Sequence, residues 1–200
     1  MRFPGFEVLD QSRRWDQVTA GVIAERMRSD RDFRFFTRAE QATATALCDR
    51  LLGMSADDRI PVAAMIDARL AAAQTDGWRY ADMPEDGEAW RATLTRLQED
   101  ARLRYGGDFA LCDGDQQDRL IQVVQDSAGG TWHELDATHV WSLWTRYACT
   151  AFYAHPTAWN EIGFSGPAYP RGYKNIGVDR LESYEVADAH PDIDPIRRGD

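Results

Sequence analysis

The stretch TRAEQATATALCDRLLG, residues 37–53, shows which class of fold this chain adopts. Thr37 and Glu40 have the spacing of a capping box, in which two side chains accept hydrogen bonds from free backbone amides at the start of a helix. Behind them, apolar residues recur at steps of three and four, the period of an amphipathic helix: Ala39, Ala42, Ala46, Leu47 and Leu51. Gly53 suits the left-handed position that ends many helices. The stretch therefore predicts one complete helix.

The same helical period recurs along most of the chain. It predicts further helices from about Trp15 to Met27, from Pro61 onward, from about Glu85 to Tyr105, from Asp113 onward, and from about Thr138 to Ala154. Sustained alternation of apolar and polar residues is missing, so we predict no sheet. We expect a single all-α domain with a compact bundle of about six helices at residues 13–155. An irregular N-terminal arm at 1–12 and an irregular C-terminal arm with an acidic tail at 156–200 would flank it.

The first and last predicted helices differ in how much of their surface is apolar. The last is apolar around most of its circumference, so it is either central in the bundle or shared with another surface. It should end at Ala154, because His155 precedes a proline and such residues avoid helical geometry. The first helix has one apolar stripe, the pattern of a helix that packs one face against a core: Trp15, Val18, Val22, Ile23 and Met27.

The charge balance excludes several classes of function. The 200 residues include 33 acidic and 23 basic side chains, which give a net charge of −10. Such a surface repels phosphate backbones and anionic lipids, so we expect no nucleic-acid partner and no direct membrane insertion. Apolar runs also stay well below the ~18 residues that a transmembrane helix requires.

The three cysteines, Cys48, Cys112 and Cys149, are widely spaced and form no CxxC motif, which argues against a metal or redox site. Cys48 and Cys149 fall on apolar helical faces, where we expect buried free thiols.

Arg13 and Arg14 form a twin-arginine pair, as in one type of export signal. Such a signal needs a long uncharged segment behind the pair, whereas WDQVTAGVIAERM carries Asp16, Glu25 and Arg26. An amphipathic helix explains the segment better, so we predict no signal peptide and a cytoplasmic location.

The sequence WHELDATHVW, residues 132–141, brings together four side chains of metal-ligand type: His133, Glu134, Asp136 and His139. Their spacing is not that of HExxH, which places two histidines on one helical face. Asp136 or Thr138 at a helix N-cap explains the polar residues well, and we favour that structural explanation. A stand-alone metal-dependent enzyme that uses the four side chains remains the alternative.

We identify no catalytic residues, because GFSGP at residues 163–167 does not match the nucleophile motif GxSxG.

The stretch AHPTAWNEIGFSGPAYPRGYKNIG, residues 154–177, is rich in glycine, proline and aromatic residues and has no helical period. As a phosphate-binding loop it fails, because it lacks the required glycine order and a preceding strand. Tryptophan, tyrosine and arginine are enriched at interface hot spots, and prolines lower the entropy lost on binding. The stretch either docks on a partner or folds back on its own chain. With two residues of the N-terminal arm, the predicted partner-binding residues are Phe3, Phe6, Trp159, Asn160, Phe164, Tyr169, Arg171 and Tyr173. Pro4-Gly5 breaks any helix in that arm, so we expect residues 1–10 to be extended.

Three blocks resemble the gluconate 2-dehydrogenase subunit 3 family. They are FFTRAEQATATALCDRLL at 35–52, VAAMIDARL at 62–70 and, most specifically, YAHPTAWNEIGFSGPAYPRGY at 153–173. Members of this family are small accessory subunits of large FAD-dependent dehydrogenases of the glucose-methanol-choline type, often joined by a cytochrome c subunit. The large subunit holds FAD and oxidises a sugar, sugar acid or glycoside.

The resemblance implies that this chain has no catalytic residues and no cofactor of its own. It implies a non-catalytic, chaperone-like γ-type subunit that stabilises or helps to fold its FAD-containing partner within a heterodimer or a higher hetero-oligomer. Many members begin with a twin-arginine export signal, from which this chain departs. Co-export with the partner would nevertheless place it in the periplasm. A cofactor-free helical scaffold that needs no partner is a further alternative.

Overall fold

The computed structural model describes residues 2–28, 32–55, 60–178 and 180–194. Their contacts divide the chain into two units. The terminal unit contains residues 1–28 and 153–200, and the bundle unit contains residues 29–152. The bundle unit is mainly helical, and the terminal unit combines short helices with irregular segments. Helix is the main secondary structure of the described residues, which confirms the prediction of an all-α fold.

The described part of the chain contains seven α-helices: α1 (Gln17–Met27), α2 (Arg38–Leu52), α3 (Val62–Ala71), α4 (Asp86–Tyr105), α5 (Gly114–Asp126), α6 (Ala137–Ala154) and α7 (Pro156–Ile162). Two 3-10 helices, Val8–Arg14 and Phe109–Leu111, accompany them. None of the helices in these ranges has both the length and the apolar content that crossing a membrane requires.

Helix α2 has the ends that its sequence predicts. The side chain of Thr37 accepts a hydrogen bond from the amide of Glu40, and Glu40 accepts one from the amide of Thr37 at 2.7 Å. Gly53 ends the helix with φ of +62°, a conformation that glycine adopts without steric cost. In the bundle unit, α2 packs against α3, α4 and α5.

Aromatic side chains fill the core of the bundle unit. Trp90 on α4 meets Tyr147 on α6 edge to face, with ring centroids 5.9 Å apart. Trp144 is fully buried and donates its indole N–H to the hydroxyl of Thr93 at 3.0 Å. Tyr147 donates its hydroxyl to the buried carboxylate of Asp86 at 2.6 Å. The polar atoms of Trp144 and Tyr147 are therefore paired inside the core, as burial usually requires, whereas the buried indole N–H of Trp90 has no hydrogen-bond partner among the described residues.

A buried carboxylate fixes the chain that leads into α2. Asp67 on α3 is completely buried and accepts hydrogen bonds from three successive backbone amides, those of Arg34, Phe35 and Phe36, at 2.6 to 3.2 Å. Hydrogen bonds to a charged group are worth about 1.5–3 kcal/mol each, more than those between neutral groups. Asp67 therefore sets the path by which the chain enters the N-terminal cap of α2.

The prediction of no sheet was wrong at one short hairpin. Strand β1 (Thr131–Trp132) pairs antiparallel with β2 (Leu135–Asp136), and Thr131 faces Asp136. His133 and Glu134 form the two-residue turn with φ of +48° and +68°. Two-residue hairpins favour such angles, but the residues that usually supply them are asparagine, aspartate and glycine. His133 and Glu134 are therefore not recognisable as a hairpin turn from their residue types.

Three further expectations need correction. Residues Pro156–Ile162 form α7, although an irregular arm was predicted from residue 156; proline at the first turn and Gly163 at the end suit a short helix. Residues Val8–Arg14 form a 3-10 helix, although an extended conformation was predicted for residues 1–10. Cys149 is exposed, although a buried thiol was predicted. It follows the buried Ala148 on α6, so its side chain lies on a neighbouring face of the helix that is open to solvent. Cys48 is buried as predicted, and this burial raises the pKa of its thiol.

Replacement of Asp67 tests the role of the buried carboxylate. We expect Asp67→Asn to lower the free energy of unfolding by about 2–5 kcal/mol, because an amide leaves one of the three backbone donors poorly paired. Urea denaturation measures this change. Asp118→Asn is the matched control, because it breaks an exposed pair with Arg50 and should cost less than about 1 kcal/mol. Equal costs for the two variants would contradict the assigned role.

Candidate functional site

The core of the terminal unit joins residues from both ends of the sequence. Trp159 on α7 packs in one buried cluster with Val8, Trp15 and Ile23. Phe6 and Ala20 cover the edge of this cluster. The aromatic residue at the centre of the predicted partner-binding stretch therefore lies in a core that the N-terminal segment completes.

Hydrogen bonds fix Trp159 and its neighbour Asn160 in this core. The indole N–H of Trp159 donates to the carbonyl oxygen of Tyr153 at 2.7 Å. Asn160 accepts from the amide of Val8 and donates to the carboxylate of Glu7, both at 2.8 Å. The amide of Asn160 thereby clamps the start of the first 3-10 helix onto α7.

Two glycines allow close packing around the same core. Gly163 ends α7 with φ of +67°, and a Cβ atom there would lie 2.5 Å from the ring of Phe3. Gly166 has φ of +74°, and its Cβ would lie 2.5 Å from the ring of Trp15. Phe3 and Trp15 therefore occupy space that any other residue at these two positions would fill.

Arg171 holds the C-terminal segment together. Its guanidinium donates to the carbonyl oxygens of Ser165 and Pro167 at 3.1 and 3.0 Å and to the side chain of Gln11 at 3.2 Å. It also lies 3.7 Å above the ring of Tyr184. Because partial burial removes water from the charged group, the pKa of Arg171 is lowered.

Three of the predicted partner-binding side chains are exposed. The exposed fractions are 40% for Phe164, 65% for Tyr169 and 54% for Tyr173. Phe164 also meets Trp159 edge to face at 5.3 Å, which links it to the buried cluster. Of the eight predicted residues, these three present a large aromatic surface to solvent, whereas the other five make the contacts within the terminal unit described above.

The apolar stripe of α1 is only partly buried. Trp15 and Ile23 face the core, but Val18, Val22 and Met27 are exposed. Val18 and Val22 are four residues apart and therefore lie on one face of the helix. This uncovered face adds to the exposed aromatic side chains of the same unit.

Exposed apolar side chains are concentrated in the terminal unit. Sixteen large apolar residues in the described ranges are exposed, and thirteen of them belong to this unit. The charges are also uneven: the terminal unit has a net charge of −2 from 10 basic and 12 acidic residues, and the bundle unit has −8 from 13 and 21. An apolar, nearly neutral surface is typical of a protein-binding face, and a strongly charged surface favours solubility.

The four side chains of the metal-site alternative divide between two places in the bundle unit. His133 lies 2.8 Å from the carboxylate of Asp100, and Glu134 is exposed in the hairpin turn. His139 stacks on Tyr80 with ring centroids 3.6 Å apart.

The second of these places is a small cluster of His139, Asp82 and Asp136. The Nδ1 atom of His139 is 2.9 Å from Asp82 and 3.9 Å from Asp136. Asp136 also accepts the amide of His139, the contact of an N-cap, which agrees with the structural explanation and lowers the pKa of Asp136. Carboxylate–histidine pairing and helix capping explain this cluster.

A cleft of about 770 Å³ in the bundle unit has a wall of alternating charge. Arg91 and Arg96 line it together with Glu85, Glu88 and Glu99. Arg91 is itself held by the carbonyl oxygen of Phe35 at 2.6 Å. Because positive and negative side chains lie side by side along this wall, the cleft has no electrostatic potential of a single sign that would attract a charged ligand.

His155 is a buried titratable group at the junction between α6 and α7. It is 6% exposed, and its Nδ1 accepts the amide of Thr157 at 3.3 Å, which caps α7. Burial lowers the pKa of His155, because a charged imidazole would lose its hydration. Protonation of Nδ1 would also remove the cap, so α7 is held by the neutral form.

Three exposed apolar residues beyond Tyr173 were not predicted from the sequence, namely Ile176, Val178 and Leu181. They lie where neither helical nor strand periodicity gives a signal. Glu182, which is buried and accepts hydrogen bonds from backbone amides in the same region, was not predicted either. The available signal was an unusual run of isolated aliphatic residues in YKNIGVDRL, residues 173–181.

Comparison with known proteins identifies a family. The family model described as "Gluconate 2-dehydrogenase subunit 3" matches residues 38–166, more than half of the chain. The match begins at the first residue of α2 and ends just after α7. No curated protein and no solved structure matches the chain. The family match confirms the resemblance inferred from the sequence.

A pair of glycine variants tests the packing of the N-terminal segment. We expect Gly163→Ala to destabilise the terminal unit by about 2–4 kcal/mol, because a left-handed conformation costs an alanine about 1–2 kcal/mol and the contact with Phe3 adds a clash. Gly172→Ala is the control, since Gly172 has φ of +69° but no atom within 4 Å of its Cβ. Hydrogen exchange of residues 1–28 and urea denaturation measure the difference. Equal effects would contradict the packing of Phe3 on Gly163.

Acidification should weaken the terminal unit through His155. Its pKa is lowered in the folded state, so below the ordinary histidine value of about 6.5 the unfolded chain binds more protons and stability falls. We expect hydrogen-exchange protection in α7 to decrease between about pH 7 and pH 5. His155→Asn keeps a cap residue without titrating there, so it should flatten this part of the pH profile. An unchanged pH dependence in the variant would show that another group is responsible.

Proposed function

Because the chain belongs to the gluconate 2-dehydrogenase subunit 3 family, we propose that it is a non-catalytic accessory subunit that binds and stabilises a large FAD-dependent dehydrogenase of the glucose-methanol-choline type. The observation that supports binding is the concentration of exposed apolar side chains in the terminal unit. The chain has a net charge of −10, yet it exposes many apolar side chains on this one unit. Such an apolar surface is suited to a protein partner.

The partner would meet aromatic anchors on this unit. Phe164, Tyr169 and Tyr173 are exposed, and large aromatic side chains contribute strongly to binding when a partner buries them. Trp159 and Arg171 hold the backbone that carries these anchors, through the contacts to Tyr153, Ser165 and Pro167.

Three predicted partner-binding residues support the segment that carries these anchors. Phe3 packs on Gly163, Phe6 covers the buried cluster, and Asn160 clamps Glu7 and Val8. Their proposed contribution to partner binding is to keep the exposed aromatic side chains in one arrangement. Less flexibility is then lost when the complex forms.

The accessory role follows from mass action. A subunit that binds only the folded form of its partner stabilises that form, by about 2.7 kcal/mol when its concentration is 100 times Kd. FAD and the oxidation of a sugar, sugar acid or glycoside would belong to the large subunit, and electrons would pass onward to a cytochrome c subunit where one is present. The complex would remain in the cytoplasm or be exported as a unit.

Co-expression of this chain with the large subunit tests the proposal. We expect more folded, FAD-loaded large subunit than in its absence. Tyr169→Ala with Tyr173→Ala should lower the yield of complex at least about tenfold, while turnover per bound FAD stays unchanged. Leu103→Ala with Leu111→Ala is the matched control, because these residues are 89% and 83% exposed but lie on the bundle unit.

Two outcomes would contradict the proposal. One is a loss of turnover per bound FAD in the tyrosine variant at unchanged yield of complex, which would indicate a catalytic role. The other is a stoichiometric transition metal in the purified chain that disappears with His139→Gln, which would favour the metal-enzyme alternative.

A further inference from the structure

The twin-arginine pair Arg13-Arg14 lies within a folded part of the terminal unit. Both side chains are exposed, and they occupy the last turn of the 3-10 helix Val8–Arg14. The residue that follows them, Trp15, is 8% exposed and belongs to the buried cluster around Trp159. The pair therefore lies on the surface of a structural element, and the next residue of the chain is part of the core.

The helix behind the pair, α1, is also a component of this fold. The side chain of Asp16 accepts a hydrogen bond from the amide of Thr19 at 2.8 Å and so caps α1. Ile23 is 2% exposed and packs in the same buried cluster as Trp15. Near the end of the helix, the guanidinium of Arg26 donates to the carbonyl oxygen of Ala154 at 3.2 Å. The helix is therefore capped at its start, buried through Ile23 and bonded to the end of α6.

The first residues of the chain are fixed to the last ones that the structure describes. Arg2 forms an ion pair with Asp188 and donates to the carbonyl oxygens of His190 and Ile193 at 3.1 and 2.7 Å. The amide of Ala189 donates to the carbonyl oxygen of Arg2 at 2.8 Å. The start of the N-terminal segment is therefore joined to the C-terminal end of the same unit by both side-chain and backbone contacts.

Further contacts lie between these two regions of the N-terminal segment. Asn160 accepts the amide of Val8 at 2.8 Å, and Gln11 accepts a hydrogen bond from Arg171 at 3.2 Å. A cleaved export signal is absent from the mature protein, so it cannot supply part of its core. Removal of residues 2–28 would leave the tryptophan of α7 without the apolar side chains that bury it.

We propose that residues 2–28 are retained in the working protein as a strap that completes the core of the terminal unit, and that the Arg13-Arg14 pair is not part of a cleaved export signal. Any transport of this chain across a membrane would then use a signal outside these residues, such as one on a protein bound to it. The inference does not depend on which partner the chain binds, so it is tested separately from the proposed function.

The mass of the protein isolated from its native cells tests this inference directly. We expect the chain to retain residues 2–28 in every compartment that contains it, because the segment is bound along its length. Intact-mass measurement and N-terminal sequencing of separated cytoplasmic and periplasmic fractions identify the first residue in each. A mature chain that begins anywhere after Arg14 would overturn the inference.

Replacement of the arginine pair separates a role in transport from a role in structure. Transport through a twin-arginine signal depends on the pair itself, whereas a strap needs only the residues that it buries. Both arginines are exposed, so Arg13→Lys with Arg14→Lys should leave the fold unchanged. We expect the distribution of the protein between cytoplasm and periplasm to be unchanged as well. A loss of periplasmic protein in this variant, with accumulation in the cytoplasm, would overturn the inference.

Two neighbouring positions on α1 test the strap. Ile23 is 2% exposed and Val22 is 51% exposed, so the two side chains differ mainly in burial. We expect Ile23→Ala to make hydrogen exchange in α7 at least about tenfold faster, because it removes apolar contacts from the shared core. Val22→Ala is the matched control and should leave exchange in α7 unchanged. Equal effects of the two variants would show that α1 is not part of this core.

Discussion

The terminal unit depends on the burial of Trp159 among Val8, Trp15 and Ile23. Contacts between residues so distant in sequence require the closure of a very long loop, and the large apolar area of a buried tryptophan offsets this cost. Around it, Asn160 binds Glu7 and Val8, Gly163 accommodates Phe3, and Gly166 accommodates Trp15. Phe164, one of the exposed aromatic residues, contacts this cluster through the ring of Trp159.

The two units differ in their charge and in how much apolar surface they expose. The bundle unit buries an aromatic core that includes Trp90, Trp144 and Tyr147, and it has most of the net negative charge of the chain. The terminal unit buries a smaller apolar cluster and leaves thirteen large apolar side chains in water. The free energy that these side chains would gain by burial is available for association with another protein. The strongly charged surface and the apolar surface proposed for binding therefore belong to different parts of the chain.

The fold was largely predictable, and the site was predictable only in part. Local signals such as the capping box of Thr37 and Glu40 act within one turn and are therefore visible in the sequence. The burial of Trp159 and the exposure of Val18 depend on which segments meet across the chain, and no local pattern encodes that choice. The hairpin at His133 and Glu134 was missed because its turn lacks the asparagine, aspartate and glycine that usually form two-residue hairpin turns. The anchoring role of Glu182 was missed because its partners are backbone amides, which leave no mark in a sequence.

The joining of both chain ends also sets an order of events during synthesis. Trp15 leaves the ribosome well before Trp159, and at about 5–20 residues per second the interval is roughly 7–30 s. Throughout that time Phe3, Phe6 and Trp15 lack the residues that bury them in the finished protein. Residues 29–152 are complete earlier, so the bundle unit has the first opportunity to fold. The surface proposed to meet the catalytic subunit therefore forms last, which makes assembly of the complex an event that follows translation of this chain.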